Sequence, residues 1–185
     1  MPEPEFTTAI IAMAARPYHG GHDGLIRLAA NERDSVHVFA ANSSNRDFVR
    51  AETMHEIWDQ HIIPALPKGT WVHFTNNPVR SVYEHLGRYN EDPCCDSSFV
   101  IYGDPTDVIS NFPDRSLEKY VGNLFRADRV SRRPVERSST MDVSGTRMRE
   151  WLREGDERSF CAHLPAWMNK RTVWQLLRRD AMNRP

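Results

Sequence analysis

The chain is poor in cysteine. Its three cysteines are Cys94, Cys95 and Cys161, two of them neighbours, and no C-x-x-C pair occurs. Neither a disulfide framework nor a structural zinc site is signalled, so a reducing, cytoplasmic setting is the expectation. Long apolar runs are also missing. No stretch approaches the ~18 consecutive apolar residues of a membrane span. The opening MPEPEFTTAII is acidic where a secretory leader would be basic, so neither membrane nor targeting is expected. Lysine is scarce, all but three of the 24 basic residues being arginine. Arginine's planar fork suits phosphate, although a codon bias would give the same count. The formal net charge of −1 argues against a general nucleic-acid binder. Neither the Walker A pattern nor G-x-G-x-x-G occurs, which removes the commoner phosphate loops. No repeat, low-complexity segment or linker breaks the sequence, and residues 1–185 are expected to form a single domain.

What is present alternates. TTAIIAMAA (7–15) is a short apolar, β-branched run ending before Arg16-Pro17, as a buried strand would, because proline biases its predecessor away from helix. DGLIRLAANER (23–33) then spaces Leu25, Ile26, Leu28 and Ala29 for a helix. SVHVFAA (35–41) reads as the next strand, and AETMHEIWDQHIIPAL (51–66) as a helix with Met54, Ile57, Trp58 and Ile62 on one face. TWVHFT (70–75), NPVRSVYEHLGRY (77–89) and SSFVIYG (97–103) continue the pattern as strand, helix and strand. This alternation predicts an α/β fold, a doubly wound, mostly parallel, Rossmann-like sheet with right-handed crossovers. Beyond Gly103, SLEKYVGNLF reads as a helix and RADRVSRRPVERSSTMDV as polar and strand-like. SGTRMREWLREGD (144–156) reads as a capped helix, and PAWMNKRTVWQLLRRDAM as a helical C-terminal segment with Trp167, Val173, Trp174 and Leu177 on its core stripe.

In a parallel sheet, ligands gather at the carboxyl ends of strands, where the next helix points its free N–H groups and positive dipole end. RPYHGGHDG occupies that place after the first strand. Gly20 and Gly21 let the backbone approach a ligand, and His19 and His22 offer side-chain donors, so an anion is the natural guest. Two other readings stand beside this one: a metal-binding pair at i, i+3 without an evident third ligand, and surface histidines in a glycine turn. DVSGTRMREWL (142–152) adds a second element. It places two hydroxyls, Ser144 and Thr146, at a helix start followed by Arg147 and Arg149, which makes a second phosphate cradle. Alone it would be an ordinary capped helix with surface arginines.

Together, P-x-H-x-G-H (Pro17, His19, Gly21, His22) and S-x-T-x-x-R (Ser144, Thr146, Arg149) resemble the nucleotidylyltransferase superfamily. That superfamily includes nicotinamide mononucleotide adenylyltransferases, phosphopantetheine adenylyltransferases and cytidylyltransferases. SGTRMREWLREGDERSFCAHLP, NNPVRSVYEHLG and YGDPTD are similar to its bacteriophage-type members. The chain departs from the pattern at Met13 and Ala15, where the family has glycine and phenylalanine.

The resemblance implies a nucleotidylyltransferase of the kind used in NAD biosynthesis. It would move the AMP group of ATP onto a phosphate monoester such as nicotinamide mononucleotide and release pyrophosphate. His19 and His22 would bind the α-phosphate and Arg149 the β- and γ-phosphates. Ser144, Gly145 and Thr146, with Gly20 and Gly21, would cradle the phosphates, and Gly103 and Asp104 would lie near the ribose, although Asp104 reads equally as a helix cap. Mg2+ would be the cofactor, held mainly by substrate phosphates. Arg16, Asn42, Ser44, Arg46, Arg50 and Arg80 follow predicted strand ends and are candidates for the acceptor phosphate. Trp71 or Trp58 could stack on an acceptor base, with Trp58 reading as core. His22 and Arg149 are expected to be exposed at the sheet edge. Cytidylyl or phosphopantetheine adenylyl transfer and a nucleotide binder without turnover are the alternatives. A nucleic-acid module on the arginines at 126–137 and 178–184 is disfavoured by the charge balance, and nothing in the sequence excludes a homo-oligomer.

Overall fold

Along the first strand, β1 (Thr7–Met13), Ala9, Ile11 and Met13 enter one apolar cluster and Ile10 enters another. A strand covered on both faces has to be apolar throughout, which is why this run does not alternate. The computed structural model describes residues 6–42 and 44–183. Around β1 lie β2 (Ser35–Ala41), β3 (Thr70–Thr75), β4 (Ser98–Gly103) and β5 (Val130–Pro134), all parallel, in the order β3-β2-β1-β4-β5.

The first face is covered by α1 (Gly20–Glu32), α2 (Ala51–Ile57), α6 (Gly145–Glu154), α7 (Glu157–Ala162) and α8 (Lys170–Met182), through Ile26, Met54, Met148, Phe160 and Leu177. The second is covered by α3 (Pro78–Asn90) and α5 (Asp114–Arg126), through Val82, Leu86, Leu117 and Leu124, with Phe112 from the end of α4 (Pro105–Asn111). The sheet is doubly wound, as the alternation predicts. The chain runs outward from β1 to β3, and α3 then returns it to the far side of β1. The loops after β1 and β4 therefore part in opposite directions and open a crevice at the carboxyl edge.

Three expectations need correction. The helix expected over 51–66 is α-helical only to Ile57; Trp58–Ile62 continues it as a π turn and Ile63–Ala65 as a 3-10 turn. Pro64 supplies no N–H to an α-ladder there. Trp58 is core, at 1% exposure. The stretch 126–143, expected to be polar and strand-like, does contain β5, an edge strand with Val130 as its one buried residue. The short α4 has no counterpart in the sequence reading; Asp104 caps it and Pro105 opens it. Trp167 precedes α8 instead of sharing its stripe, and its indole N–H donates to Asp23 of α1 at 3.2 Å. Among the described residues, no helix is long and apolar enough to cross a membrane.

On the second face, His37 of β2, His73 of β3 and His85 of α3 cluster. His37 Nδ1 lies 2.8 Å from His73 Nε2, and the His37 and His85 rings are 4.9 Å apart. Burial, then repulsion from His73, pushes His37 down to about 4; burial, then the other two histidines and Arg88, does the same to His85. Burial and Arg88 lower His73 as well. The unfolded chain therefore binds protons below its ordinary histidine value near 6.5 that the folded cluster refuses. Stability is complete above that pH, declines as pH falls from about 6.5 to 4, and levels off once the folded groups protonate. The melting temperature at pH 5 should lie roughly 5 °C or more below that at pH 7.5. The double variant His37→Phe, His85→Phe should show a smaller difference, and an undiminished one would assign the pH dependence elsewhere.

Candidate functional site

After Met13 the chain turns sharply into α1. Ala15 makes the turn with φ 51° and 1% exposure, a left-handed conformation that costs a non-glycine residue about 1–2 kcal/mol. Met13 ends β1 with 7% exposure and lines the crevice. Of the two departures from the pattern the chain resembles, Ala15 makes the strained turn and Met13 ends the strand before it.

His19 is the N-cap of α1, and its Nδ1 accepts the Gly21 N–H at 3.1 Å. Three residues on, His22 Nδ1 accepts the His19 N–H at 3.2 Å. This is the reciprocal capping box that Ser or Thr with Glu or Gln usually makes, built here from two imidazoles. Their rings stack with centroids 3.8 Å apart. A backbone N–H can only donate, so each Nδ1 carries a lone pair and each ring proton resides on Nε2. Burial, then Arg137 and His163, pushes His19 down to about 4, and burial, then His19 and Arg137, holds His22 well below the ordinary value. The turn presents two neutral Nε2–H donors. His19 is 5% exposed, so surface histidines are ruled out, and the pair is more enclosed than the sequence suggested. Among the described residues, no group of three or more His, Cys, Asp or Glu is arranged to hold a metal ion.

The glycines between the histidines are held by packing. A Cβ on Gly20 would lie 2.5 Å from the Met141 sulfur, and one on Gly21 would lie 2.9 Å from the His19 ring and 3.1 Å from the Met141 carbonyl oxygen. Gly21→Ala should therefore displace His19 from its cap and cost about 1–3 kcal/mol in urea unfolding. An unchanged midpoint would show that the turn has room to spare.

Facing this turn is the start of α6. Ser144 is its N-cap, with Oγ accepting the Arg147 N–H at 3.1 Å. Gly145 begins the helix, and Thr146 is exposed. Arg149, with 11% side-chain exposure, donates from Nη1 to the Arg16 carbonyl oxygen at 2.7 Å and from Nη2 to Thr146 Oγ1 at 3.2 Å. Its Nε lies 3.9 Å from Asp47, which also pairs with Arg153. Arg16, 5% exposed, donates from Nε to the Ala41 carbonyl oxygen at 2.7 Å. Burial, then the nearby Arg46, lowers the pKa of both Arg16 and Arg149. Three guanidinium groups converge beside the histidine turn, an arrangement suited to an anion of high charge.

Gly103 and Asp104 close the crevice from β4. Asp104 Oδ1 accepts the Thr106 N–H at 3.0 Å, and Oδ2 accepts from Arg137 Nε at 3.1 Å. The capping aspartate is thus observed, and it faces the crevice as well. The cleft measures about 510 Å³, and His19, Gly21, His22, Arg46, Gly103, Asp104, Ser144 and Gly145 all line it. Gly20, Arg16, Thr146 and Arg149 stand immediately beside those residues.

The other acceptor candidates do not line it. Arg50 gives its backbone N–H to Asp180, with its side chain 4.0 Å from Glu52; Arg80 pairs with Glu84 at 2.8 Å on the outside of α3. Asn42 is engaged with His55 at 3.0 Å, and Ser44 is exposed and does not line the cleft. Trp71 is 61% exposed on edge strand β3. Sequence reasoning missed Arg137, Thr140, Asn76, Asn77 and Asp107, all of which line the cleft. Asn77-Pro78 did carry a signal, as a helix cap followed by proline at the first position.

Solved structures share this architecture. One described as a nicotinate-nucleotide adenylyltransferase from Vibrio parahaemolyticus aligns with a TM-score of 0.57 over 93% of this chain and 98% of its own, at 15% identity. A bifunctional NMN adenylyltransferase/ADP-ribose pyrophosphatase from Francisella tularensis, complexed with AMP and a manganese ion, aligns at 0.59 over 94% of this chain and 52% of its own, at 12% identity. No family model matches the sequence, and no curated protein matches it. The fold is the Rossmann-like fold of these nucleotidylyltransferase structures.

Proposed function

We propose that this cleft transfers the adenylyl group of ATP to a phosphate monoester, nicotinamide mononucleotide foremost, and releases pyrophosphate. One observation carries the reading: two imidazoles locked by the backbone into neutral Nε2–H donors at the start of α1, opposite converging Arg16, Arg46 and Arg149. The fold shared with a nicotinate-nucleotide and an NMN adenylyltransferase supports it.

In the reaction an oxygen of the acceptor phosphate attacks the α-phosphorus in line. The bond to the α,β-bridging oxygen breaks, its electron pair leaves with pyrophosphate, and no covalent intermediate with the protein is needed. Catalysis then rests on position and charge stabilisation. His22, with His19 beside it, donates to the α-phosphate oxygens as charge gathers there, and neither has to gain or lose a proton. Arg149 holds the β- and γ-phosphates against the start of α6, where Ser144, Gly145 and Thr146 complete the cradle.

The cleft's carboxylates are Asp104, already engaged by Arg137 and Thr106, and Asp107. That donor set fits Mg2+ arriving as a companion of the triphosphate, the way this ion usually binds. When bound, it supplies charge neutralisation along the phosphates.

The test is pyrophosphate release across four nucleoside triphosphates and a panel of phosphate monoesters. ATP should bind best, and the mononucleotide should exceed phosphopantetheine and sugar phosphates in kcat/KM. CTP bound at least tenfold more tightly than ATP, or a saturating rate with phosphopantetheine and none with the mononucleotide, would replace this reading with one of its relatives. Met13, lining the cleft where the family has glycine, favours a second reading, a nucleotide binder without turnover. Binding of ATP with no pyrophosphate from any acceptor would establish it.

A further inference from the structure

The cleft is electrically divided. On the side of α1 and α6 its charged groups are Arg46 and Arg137, next to the two histidines; on the side of α3 and α4 they are two carboxylates, Asp104 and Asp107. Arg137 reaches across to engage Asp104, and among the described residues no other cation lining the cleft pairs with either carboxylate. The guanidinium of Arg80 is turned to Glu84, and Arg132 donates to the Phe112 carbonyl oxygen at 2.9 Å and to Asp114. Asp107 is exposed in the first turn of α4, and no hydrogen bond or ion pair from a described residue reaches its carboxylate. Asn76, Asn77 and Asn111 surround the same end.

We infer that Asp107 determines acceptor specificity, selecting a head group that is cationic or rich in N–H and O–H donors and rejecting one that carries a carboxylate. This rests on the adenylyl-transfer reading, with the ATP ribose beside Gly103 and Asp104 and the acceptor head group at the asparagine end of the same wall, next to Asp107. The two solved structures named above differ in this very group, since one is described for nicotinate nucleotide and the other for the nicotinamide form. Both nucleotides carry a pyridinium ring and a phosphate. The nicotinate form adds an anion that would face Asp107, whereas the carboxamide offers two N–H donors to the carboxylate and the asparagines. Rejection through an opposing like charge is an efficient source of discrimination, and at an exposed site it is weakened by salt.

The experiment is calorimetric binding of nicotinamide mononucleotide and nicotinate mononucleotide to the wild-type chain, Asp107→Asn and Asp107→Lys, at low and high NaCl. The wild type should bind the amide form at least tenfold more tightly, and high salt should compress that ratio. Asp107→Asn should reduce the ratio at least threefold, mainly by improving nicotinate binding, and Asp107→Lys should reverse it. A merely structural role for Asp107 at the helix start would move the melting temperature of the variants and leave the ratio alone. Equal or tighter nicotinate binding by the wild type, an unchanged ratio in Asp107→Asn, or no binding of either nucleotide overturns the inference. Selective binding with no pyrophosphate release upholds the inference and overturns the adenylyl-transfer reading.

Discussion

His22→Ala is expected to lower kcat by roughly 10²–10³ while leaving ATP affinity within a few-fold, the pattern of a donor that acts mainly in the transition state. His22 is a neutral imidazole with its proton on Nε2, so in the proposed reaction its interaction with the α-phosphate would strengthen as charge accumulates there. The substitution has a second, smaller consequence. It removes the acceptor of the His19 N–H, half of the capping box, which should cost about 1 kcal/mol of stability. The variant should stay folded at 25 °C with a melting temperature a few degrees lower, so a large kcat effect cannot be put down to unfolding. Normal turnover by His22→Ala would remove the histidine turn from catalysis.

Arg149→Ala is expected to raise KM for ATP about tenfold and to lower kcat about tenfold or more, because its proposed partners, the β- and γ-phosphate oxygens, are charged before, during and after the reaction. The side chain also ties the Arg16 carbonyl to Thr146, so its loss loosens the turn after β1 that positions the histidines. Arg149→Lys keeps the charge and loses the planar fork; it should restore part of the affinity and little of kcat. An Arg149→Ala enzyme with unchanged KM would place the triphosphate elsewhere in the cleft.

The histidine turn and the Ser144–Arg149 cradle were legible because each is local. Cap, glycines and donors fall within six residues, and a short motif suffices to write them. The strands β2 and β3 were legible in their full extents for a related reason, each being a β-branched and aromatic run bounded by polar residues. The edge strand β5 was legible only as a strand-like stretch without bounds, because an edge needs few apolar residues and Val130 alone supplies the buried one. The seven-residue α4 buries only Val108 and so leaves no periodicity to read. The acceptor side was the least legible. Arg80 was eligible by its place after a strand, yet Glu84 one helical turn later claims its guanidinium. Arg137 reaches Asp104 only because β5 pairs with β4, a contact that no local pattern records.

The most direct measurement is single-turnover mixing of the protein with α-labelled ATP, Mg2+ and nicotinamide mononucleotide, following the label and pyrophosphate together. Adenylyl transfer predicts that the labelled phosphorus appears in a dinucleotide, with one pyrophosphate released for each dinucleotide formed. Saturating ATP binding in the cleft, with the label remaining in ATP and no pyrophosphate released, would contradict it.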